Sequence, residues 1–399
     1  MVCTGCSLLC EDIVEGRSGK GEGERDCVKH ACRIGTAHIT SMQRIEPTVA
    51  RKQVRHDAAI ESAAEILASA KNPVFVGFGN SITETQQKGI ALAEKIGAKI
   101  WAPHTELFED VLNRRVKTCT LPEVRDQADV VVFLGADPMN THPRLLSGYA
   151  YYPRGEKRQH GWDVDRTAIA IDLRRSHTAE VCREVYEASP HRQIEFMDAL
   201  SDALGNRVPK TGYDRKRILK LAGTLKKAEF GVIFTGTYAM ATEQERDAII
   251  RLMDELNEVS NFHILPLAPG YNLRSIAALL HESCSHPTDD GETNQIGRVN
   301  RVNRANRADL NEADVLLCVG CDLMNSIPAH DIKGTTIVID PNETLTSLCS
   351  DVVIPCAAGG IDCAGSALRM DGVQIDIPQM IETGRISDAS IMDQLIGAI

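Results

Sequence analysis

Aromatic side chains are scarce in this sequence, 4% of 399 residues, and only two are tryptophan. Positive charge is also in deficit, since 44 Lys and Arg against 55 Asp and Glu leave a formal net charge of −11. Nucleic acids and anionic membrane surfaces are bound by the opposite arrangement, a basic patch interleaved with aromatics, so neither is an expected partner. No apolar run approaches the roughly 20 residues that cross a bilayer. The opening MVCTGCSLLCED has no basic segment followed by an apolar stretch and cleavage site, so a cytoplasmic location is expected.

Cysteine, by contrast, is plentiful. Thirteen are many for a chain in a reducing compartment, and an odd number cannot all pair within the chain. Thiolate ligands for a metal are the better account. Cys3-x2-Cys6-x3-Cys10 places three thiols within eight residues, and Cys27 and Cys32 follow after the charged, glycine-rich connection RSGKGEGERD (17–26). Four thiolates are what a [4Fe–4S] cluster requires, whereas a structural zinc site more often pairs CxxC knuckles or includes His. By spacing alone, either Cys27 or Cys32 closes the set. The eight later cysteines lie mostly in or beside apolar runs, where a thiol packs as a small hydrophobe. Cys318-x2-Cys321 straddles a strand end and is assigned no metal.

From about residue 72 the sequence alternates short apolar runs with helical stretches, the pattern of a parallel α/β sheet covered on both faces. Val74 to Gly79 reads as a buried strand ending in a glycine turn. Gln87, Ile90, Leu92, Ala93 and Ile96 then mark a helix stopped by Gly97, and Ala98 to Trp101 a second strand.

This pattern occurs twice. Ala128 to Asn140 (ADVVVFLGADPMN) is echoed by Ala313 to Asn325 (ADVLLCVGCDLMN), each a strand, a glycine and an Asp-x-Met-Asn loop. Thr167 to Asp172 matches Thr335 to Asp340 downstream, and Phe230 to Gly236 with the helix around Ala248 to Leu256 mirrors the unit starting at Val74. The reading is an internal duplication, about 72–190 and 230–357. Open α/β sheets bind ligands at the carboxyl ends of their strands, so a duplicated fold predicts a duplicated ligand. Candidate contacts are Gly135, Asp137, Asn140 and Asp172 in the first copy and Asp322, Asn325 and Asp340 in the second. Acids such as Asp172 and Asp340 hold ribose or base in such folds, and they also cap turns for structural reasons alone. Arg298, Arg301, Arg304 and Arg307 recur every three residues and are read as a solvated or subunit-facing helical stripe.

The N-terminal CxxCxxxC, the stretch Ala31-Cys32-Arg33-Ile34-Gly35 and the two Rossmann-like halves together resemble the molybdopterin-dependent formate dehydrogenase superfamily. In detail the chain is most similar to the family of the formylmethanofuran dehydrogenase B subunit. Residues 118–124 (TCTLPEV), 137–144 (DPMNTHPR), 152–155 (YPRG) and 365–373 (GSALRMDGV) support this, and the likeness covers nearly the whole chain. The fold it implies is α/β, with duplicated Rossmann-like parallel sheets, a small N-terminal iron–sulfur domain and no C-terminal β-barrel domain. Domains are expected at 1–55 for the cluster, 56–210 for the first pterin-dinucleotide half and 211–399 for the second half with its tail.

The resemblance further implies a [4Fe–4S] cluster on Cys3, Cys6, Cys10 and Cys32, and two molybdopterin guanine dinucleotides holding tungsten or molybdenum. There carbon dioxide is reduced reversibly to formate, the first step of methanogenesis from carbon dioxide, with the cluster feeding electrons to the pterin. Implied partners are the other formylmethanofuran dehydrogenase subunits, including a β-barrel subunit that completes the pterin site and an amidohydrolase-like subunit that joins formate to methanofuran. Ferredoxin-type carriers would bring electrons.

Two positions depart from the family pattern. Where family members place a metal-binding Cys or selenocysteine followed by His, the loop reads Trp101-Ala102-Pro103-His104-Thr105, and proline has no donor atom. His104 survives as the candidate proton carrier. Where an arginine would hold the formate carboxylate by a bidentate pair, Pro266-Leu267-Ala268-Pro269-Gly270-Tyr271-Asn272 offers Ala268, while Asn272 still matches as a cofactor contact. Two hypotheses follow: an active redox subunit, or a degenerate scaffold or electron-relay subunit in a formyltransferase/hydrolase-type assembly that lacks the metal.

Overall fold

The computed structural model describes residues 1–16, 27–189, 192–284 and 304–399. The glycine-rich connection 17–26, the Cys27 side chain, Arg298 and Arg301 lie outside the described residues.

Among the described residues, the strands in chain order begin with β1 (Val14–Gly16), β2 (Cys27–Lys29), β3 (Thr48–Val49) and β4 (Lys52–Gln53). Next come β5 (Pro73–Gly77), β6 (Lys99–Trp101), β7 (Val130–Leu134), β8 (Thr167–Asp172) and β9 (Glu184–Glu187). β10 (Gly231–Thr235), β11 (Phe262–Pro266), β12 (Val315–Val319), β13 (Thr335–Asp340) and β14 (Val352–Pro355) follow, and β15 (Gly365–Leu368) and β16 (Gln374–Ile377) close the series. Every residue of β5, β7, β10, β12 and β14 is buried. Such continuous apolar runs are what parallel strands covered by helices on both faces require. The helix Thr83–Ile96 between β5 and β6 ends at Gly97, whose φ of 71° is the left-handed cap expected there.

The chain folds into two compact units, each discontinuous in sequence. One comprises Met1–Thr105, Gly270–Arg369 and Gln374–Ile399, the other Glu106–Pro269 and Met370–Val373. The first contains a sheet in the order β4-β3-β14-β13-β12-β5-β6, parallel from β14 to β6, and the second a fully parallel sheet in the order β11-β10-β7-β8-β9.

This corrects the expected contiguous halves at 56–210 and 211–399. The repeat itself stands, with β5 to β9 matching β10 to β14 in order. The two copies exchange their opening β-α-β segments. β5 and β6 of the first copy pair through β5 with β12 of the second, while β10 and β11 of the second pair through β10 with β7 of the first. The physical reason lies in the strands. All four innermost ones are five-residue buried runs without a distinguishing polar face, so periodicity says that they sit centrally but not which neighbour each takes.

The exchange creates a reversal of strand order in each sheet, between β5 and β12 in one and between β10 and β7 in the other. Crevices outside the carboxyl ends of strands at such reversals are where open α/β sheets bind ligands. No helix among the described residues is long and apolar enough to cross a membrane.

Candidate functional site

In the first unit, the cysteine loop is tied down before any metal is considered. The N-terminal ammonium donates to the Ile13 carbonyl at 2.9 Å, Cys3 N–H to Cys10 O at 2.9 Å and Leu9 N–H to Cys6 O at 3.2 Å. Leu8, Leu9 and Ile13 are buried beneath it and anchor the turn. Cys32 caps the helix Arg33–Thr40, its sulfur accepting the Gly35 N–H at 3.5 Å.

The four expected ligands are neighbours. The Cys6 thiol is pushed up to about 12, first by burial and then by Cys10, Cys3 and Cys32, each close enough to disfavour a second negative charge. Gly35 lies between two of them: a Cβ there would meet Cys3 Sγ at 2.8 Å and Cys32 Sγ at 4.0 Å. Among the described residues no group of three or more His, Cys, Asp or Glu side chains could hold a metal ion as placed. The thiols are thus gathered but not closed on one point. An all-sulfur, mutually repelling set suits a centre that supplies positive charge at each sulfur, and a four-iron cluster fits these residues.

Beside this loop lies a cavity of about 300 Å³ whose wall includes Thr4 and Gly5 of the loop, Asn80 and Ser81 after β5, Gly320 to Asp322 after β12 and Asp340 at the end of β13. It therefore opens at the strand-order reversal, on the carboxyl side of the sheet. Asp340 is held up at about 7 by burial, with Asp322 and Asp388 adding repulsion. Its Oδ1 accepts the Asn342 N–H at 2.9 Å. The buried Tyr271 hydroxyl also lines the cavity and finds no hydrogen-bond partner among the described residues. Thr4 bridges the two regions, donating to Gly359 O at 2.9 Å with its Oγ1 3.0 Å from His38 Nε2.

The second unit repeats this design. Gly320 and Gly135 both have positive φ, 55° and 57°, and each leaves its strand against the loop that follows the neighbouring strand. A Cβ on Gly320 would meet Ser81 Oγ at 3.2 Å, and one on Gly135 would meet Ala239 Cβ at 3.0 Å. Asp137 accepts the Thr178 hydroxyl at 2.7 Å and the Asn140 amide at 2.6 Å. Asp172 accepts the Leu173 N–H at 2.7 Å, as Asp340 does from its own loop. Near this end of the sheet the buried Thr235 Oγ1 and Tyr238 Oη lack hydrogen-bond partners among the described residues. Orphaned polar atoms at both sites fit a ligand rich in hydrogen-bonding groups.

The remaining candidates separate. Asn325 is exposed, and its backbone N–H reaches Asp322 O. Asn272 is fully buried: its Nδ2 donates to Ser81 O at 2.9 Å and Thr83 Oγ1 at 3.2 Å, and its Oδ1 accepts the Leu368 N–H at 2.8 Å. Its side chain fastens the chain to itself. His104 is exposed with φ 70°, and Pro103 precedes it half-buried. Ala268 is buried, and its backbone hydrogen-bonds His142, which burial pushes down to about 4, so that imidazole is neutral at physiological pH. Sequence reasoning did not single out Thr4, His38, Tyr271 or Asp388. Only Thr4 carried a signal, its place between two cluster cysteines.

No family model matches the chain. It is 31% identical, over 99% of its length and 97% of the relative's, to the protein of Methanococcus maripaludis named as the B subunit of tungsten-containing formylmethanofuran dehydrogenase 2. It is 30% identical over the same shares to the protein of that name from Methanocaldococcus jannaschii. Among solved structures, it superposes with a TM-score of 0.66 and 20% identity, over 88% of this chain and 97% of the other, on the formyltransferase/hydrolase complex (FhcABCD) from Methylorubrum extorquens with methylofuran. This last likeness shows the fold.

Proposed function

The chain belongs to the family of the formylmethanofuran dehydrogenase B subunit, and from that premise we propose that it is the cluster- and pterin-bearing redox subunit of such an assembly in the cytoplasm. The observation that carries the reading is the gathering of Cys3, Cys6, Cys10 and Cys32 beside a cavity at the β5–β12 strand-order reversal. Cys3, Cys6, Cys10 and Cys32 hold the [4Fe–4S] cluster. Asp322 and Asp340 would hold one molybdopterin guanine dinucleotide in the first unit. Gly135, Asp137, Asn140 and Asp172 would hold a second in the other unit.

When bound, the tungsten or molybdenum pterin centre supplies two-electron exchange between carbon dioxide and formate, and the cluster supplies electrons singly. The chain's own residues do the rest. Asp340, whose carboxyl burial holds at about 7, can take up or release a proton at the cavity wall near neutral pH. Tyr271, Thr235 and Tyr238 offer hydroxyls that no group among the described residues takes up. Thr4 fixes the distance between the cysteine loop and the cavity. His104, exposed on its loop, is the proposed proton carrier. The proposed partners are a β-barrel subunit completing the pterin site, an amidohydrolase-like subunit and ferredoxin-type carriers.

Pro103 and Ala268 favour a second reading, in which the chain keeps the cluster as scaffold or relay and holds no catalytic metal. Elemental and pterin analysis of the isolated assembly separates the two. About four iron per chain with tungsten or molybdenum and two dinucleotides supports the first reading, and iron alone supports the second. Neither iron nor pterin overturns both.

A further inference from the structure

The helix Arg215–Leu225 of the second unit buries Ile218, Leu221, Ala222 and Leu225. Its opposite face carries Lys216, Leu219, Lys220, Gly223 and, two residues past the end, Lys227, at the i, i+3, i+4, i+7, i+11 spacing of a single stripe. Lys216 and Lys227 make no ion pair among the described residues, and Lys220 reaches only Glu184, at 3.2 Å. From Arg215 to Ala228 there are six cations and no acid, on a chain of net charge −11.

Two residues in this stripe are wrong for a solvated face. Leu219 is 52% exposed. Gly223 weakens a helix interior, yet a Cβ there would meet nothing within 4 Å, so packing within the chain does not require glycine. Both line two grooves that flank the helix. One, of about 630 Å³, is walled by Val164, Arg183 and Lys220 and also by Asp163 and by three acids already engaged within the chain, Asp129 and Asp165 by backbone N–H groups and Glu229 by Arg158, and Val164 is 70% exposed. The other, of about 390 Å³, is walled by Val208, Pro209 and Arg215, and Val208 is 74% exposed. Open grooves on either side of a glycine let a second helix cross close to the backbone, with apolar anchors at Leu219 and Val164.

We propose that this face docks an acidic amphipathic helix of a partner protein, which crosses at Gly223 and sets its carboxylates against Lys216, Lys220 and Lys227. The inference rests on the proposed membership of an assembly, and its test keeps the two apart. The assembly is purified through a tag on this chain after co-expression with its partners. Subunit composition is read by native mass spectrometry across a salt series, and iron and dinucleotide are measured on the same samples. Gly223→Leu and the double variant Lys220→Glu/Lys227→Glu should each raise the dissociation constant of one partner chain about tenfold or more. Iron and dinucleotide stay at wild-type levels, and Gly223→Leu melts no lower than wild type, which a merely structural glycine would not allow.

Unchanged composition and salt stability in both variants overturns the proposal. So does a wild-type chain that purifies without a partner protein, or variants that instead lose a second copy of this chain or bound nucleic acid. Loss of the partner chain from variants of an iron-free, pterin-free wild type supports the docking face and overturns only the redox function.

Discussion

Asp322 accepts the hydroxyl of Thr346 at 2.7 Å and its backbone N–H at 2.9 Å. Asp137 takes the same pair of bonds from Thr178, at 2.7 and 3.2 Å. In each case the threonine hydroxyl also accepts an N–H from the Asp-x-Met-Asn loop, Met324 at 2.9 Å and Met139 at 3.1 Å. The repeated motif is therefore a device that locks the loop after a central strand onto the helix after the next one. Thr346→Val removes both of its hydroxyl bonds in a buried setting and should cost about 1–3 kcal/mol. Thr178→Val should cost a similar amount, measured by denaturant unfolding. A loss confined to one of the two would break the equivalence of the sites.

Asn272 matched the family pattern as a cofactor contact, yet its side-chain amide already binds Ser81, Thr83 and Leu368. Asn272→Ala should destabilise the chain by about 3 kcal/mol, because it leaves buried backbone groups unpaired. Normal stability with diminished dinucleotide content would assign the residue to the ligand instead.

Much of this architecture was legible beforehand for physical reasons. Runs such as VVVFL and VLLCV are too short for buried helices and too apolar for exposed strands, and Gly97 occupies the one conformation that glycine adopts freely. The duplicated Asp-x-Met-Asn loops were visible because their polar geometry is local. Strand partnership was not local. Nothing in Pro73–Gly77 says that β12, some 240 residues later, is its neighbour, so the exchange between copies stayed hidden. The same holds for the cavity wall: Asp388 reads as a surface acid in the stretch 386–393, ISDASIMD, and is buried against the Thr85 hydroxyl at 2.6 Å.

Asp340 makes stability depend on pH in a defined direction. The unfolded carboxyl loses its proton near 3.9, and the folded one keeps it to about 7. Folding takes up a proton between those values, so this group's penalty grows as pH rises through the window and is complete above it. Asp340→Asn should raise the melting temperature of cofactor-free protein at pH 8, by a free energy on the order of 4 kcal/mol at most, with little change at pH 4. Equal effects at both pH values would place the carboxylate in water.

Gly35 leaves no space for a methyl group beside Cys3 Sγ, 2.8 Å from where a Cβ would stand. Gly35→Ala should reduce bound iron severalfold while the far-ultraviolet circular dichroism stays unchanged, because the helix itself gains from alanine. Full iron content in that variant would show that Cys3 sits elsewhere when the cluster is bound.

The account depends most on which thiols hold iron. Iron content and the electron paramagnetic resonance signal of the reduced protein are measured for wild type, Cys27→Ser and Cys32→Ser, purified without oxygen. Wild type and Cys27→Ser should carry about four iron per chain and the same signal, with Cys32→Ser losing both. Iron retained in Cys32→Ser but lost in Cys27→Ser, or zinc in place of iron throughout, would contradict the assignment.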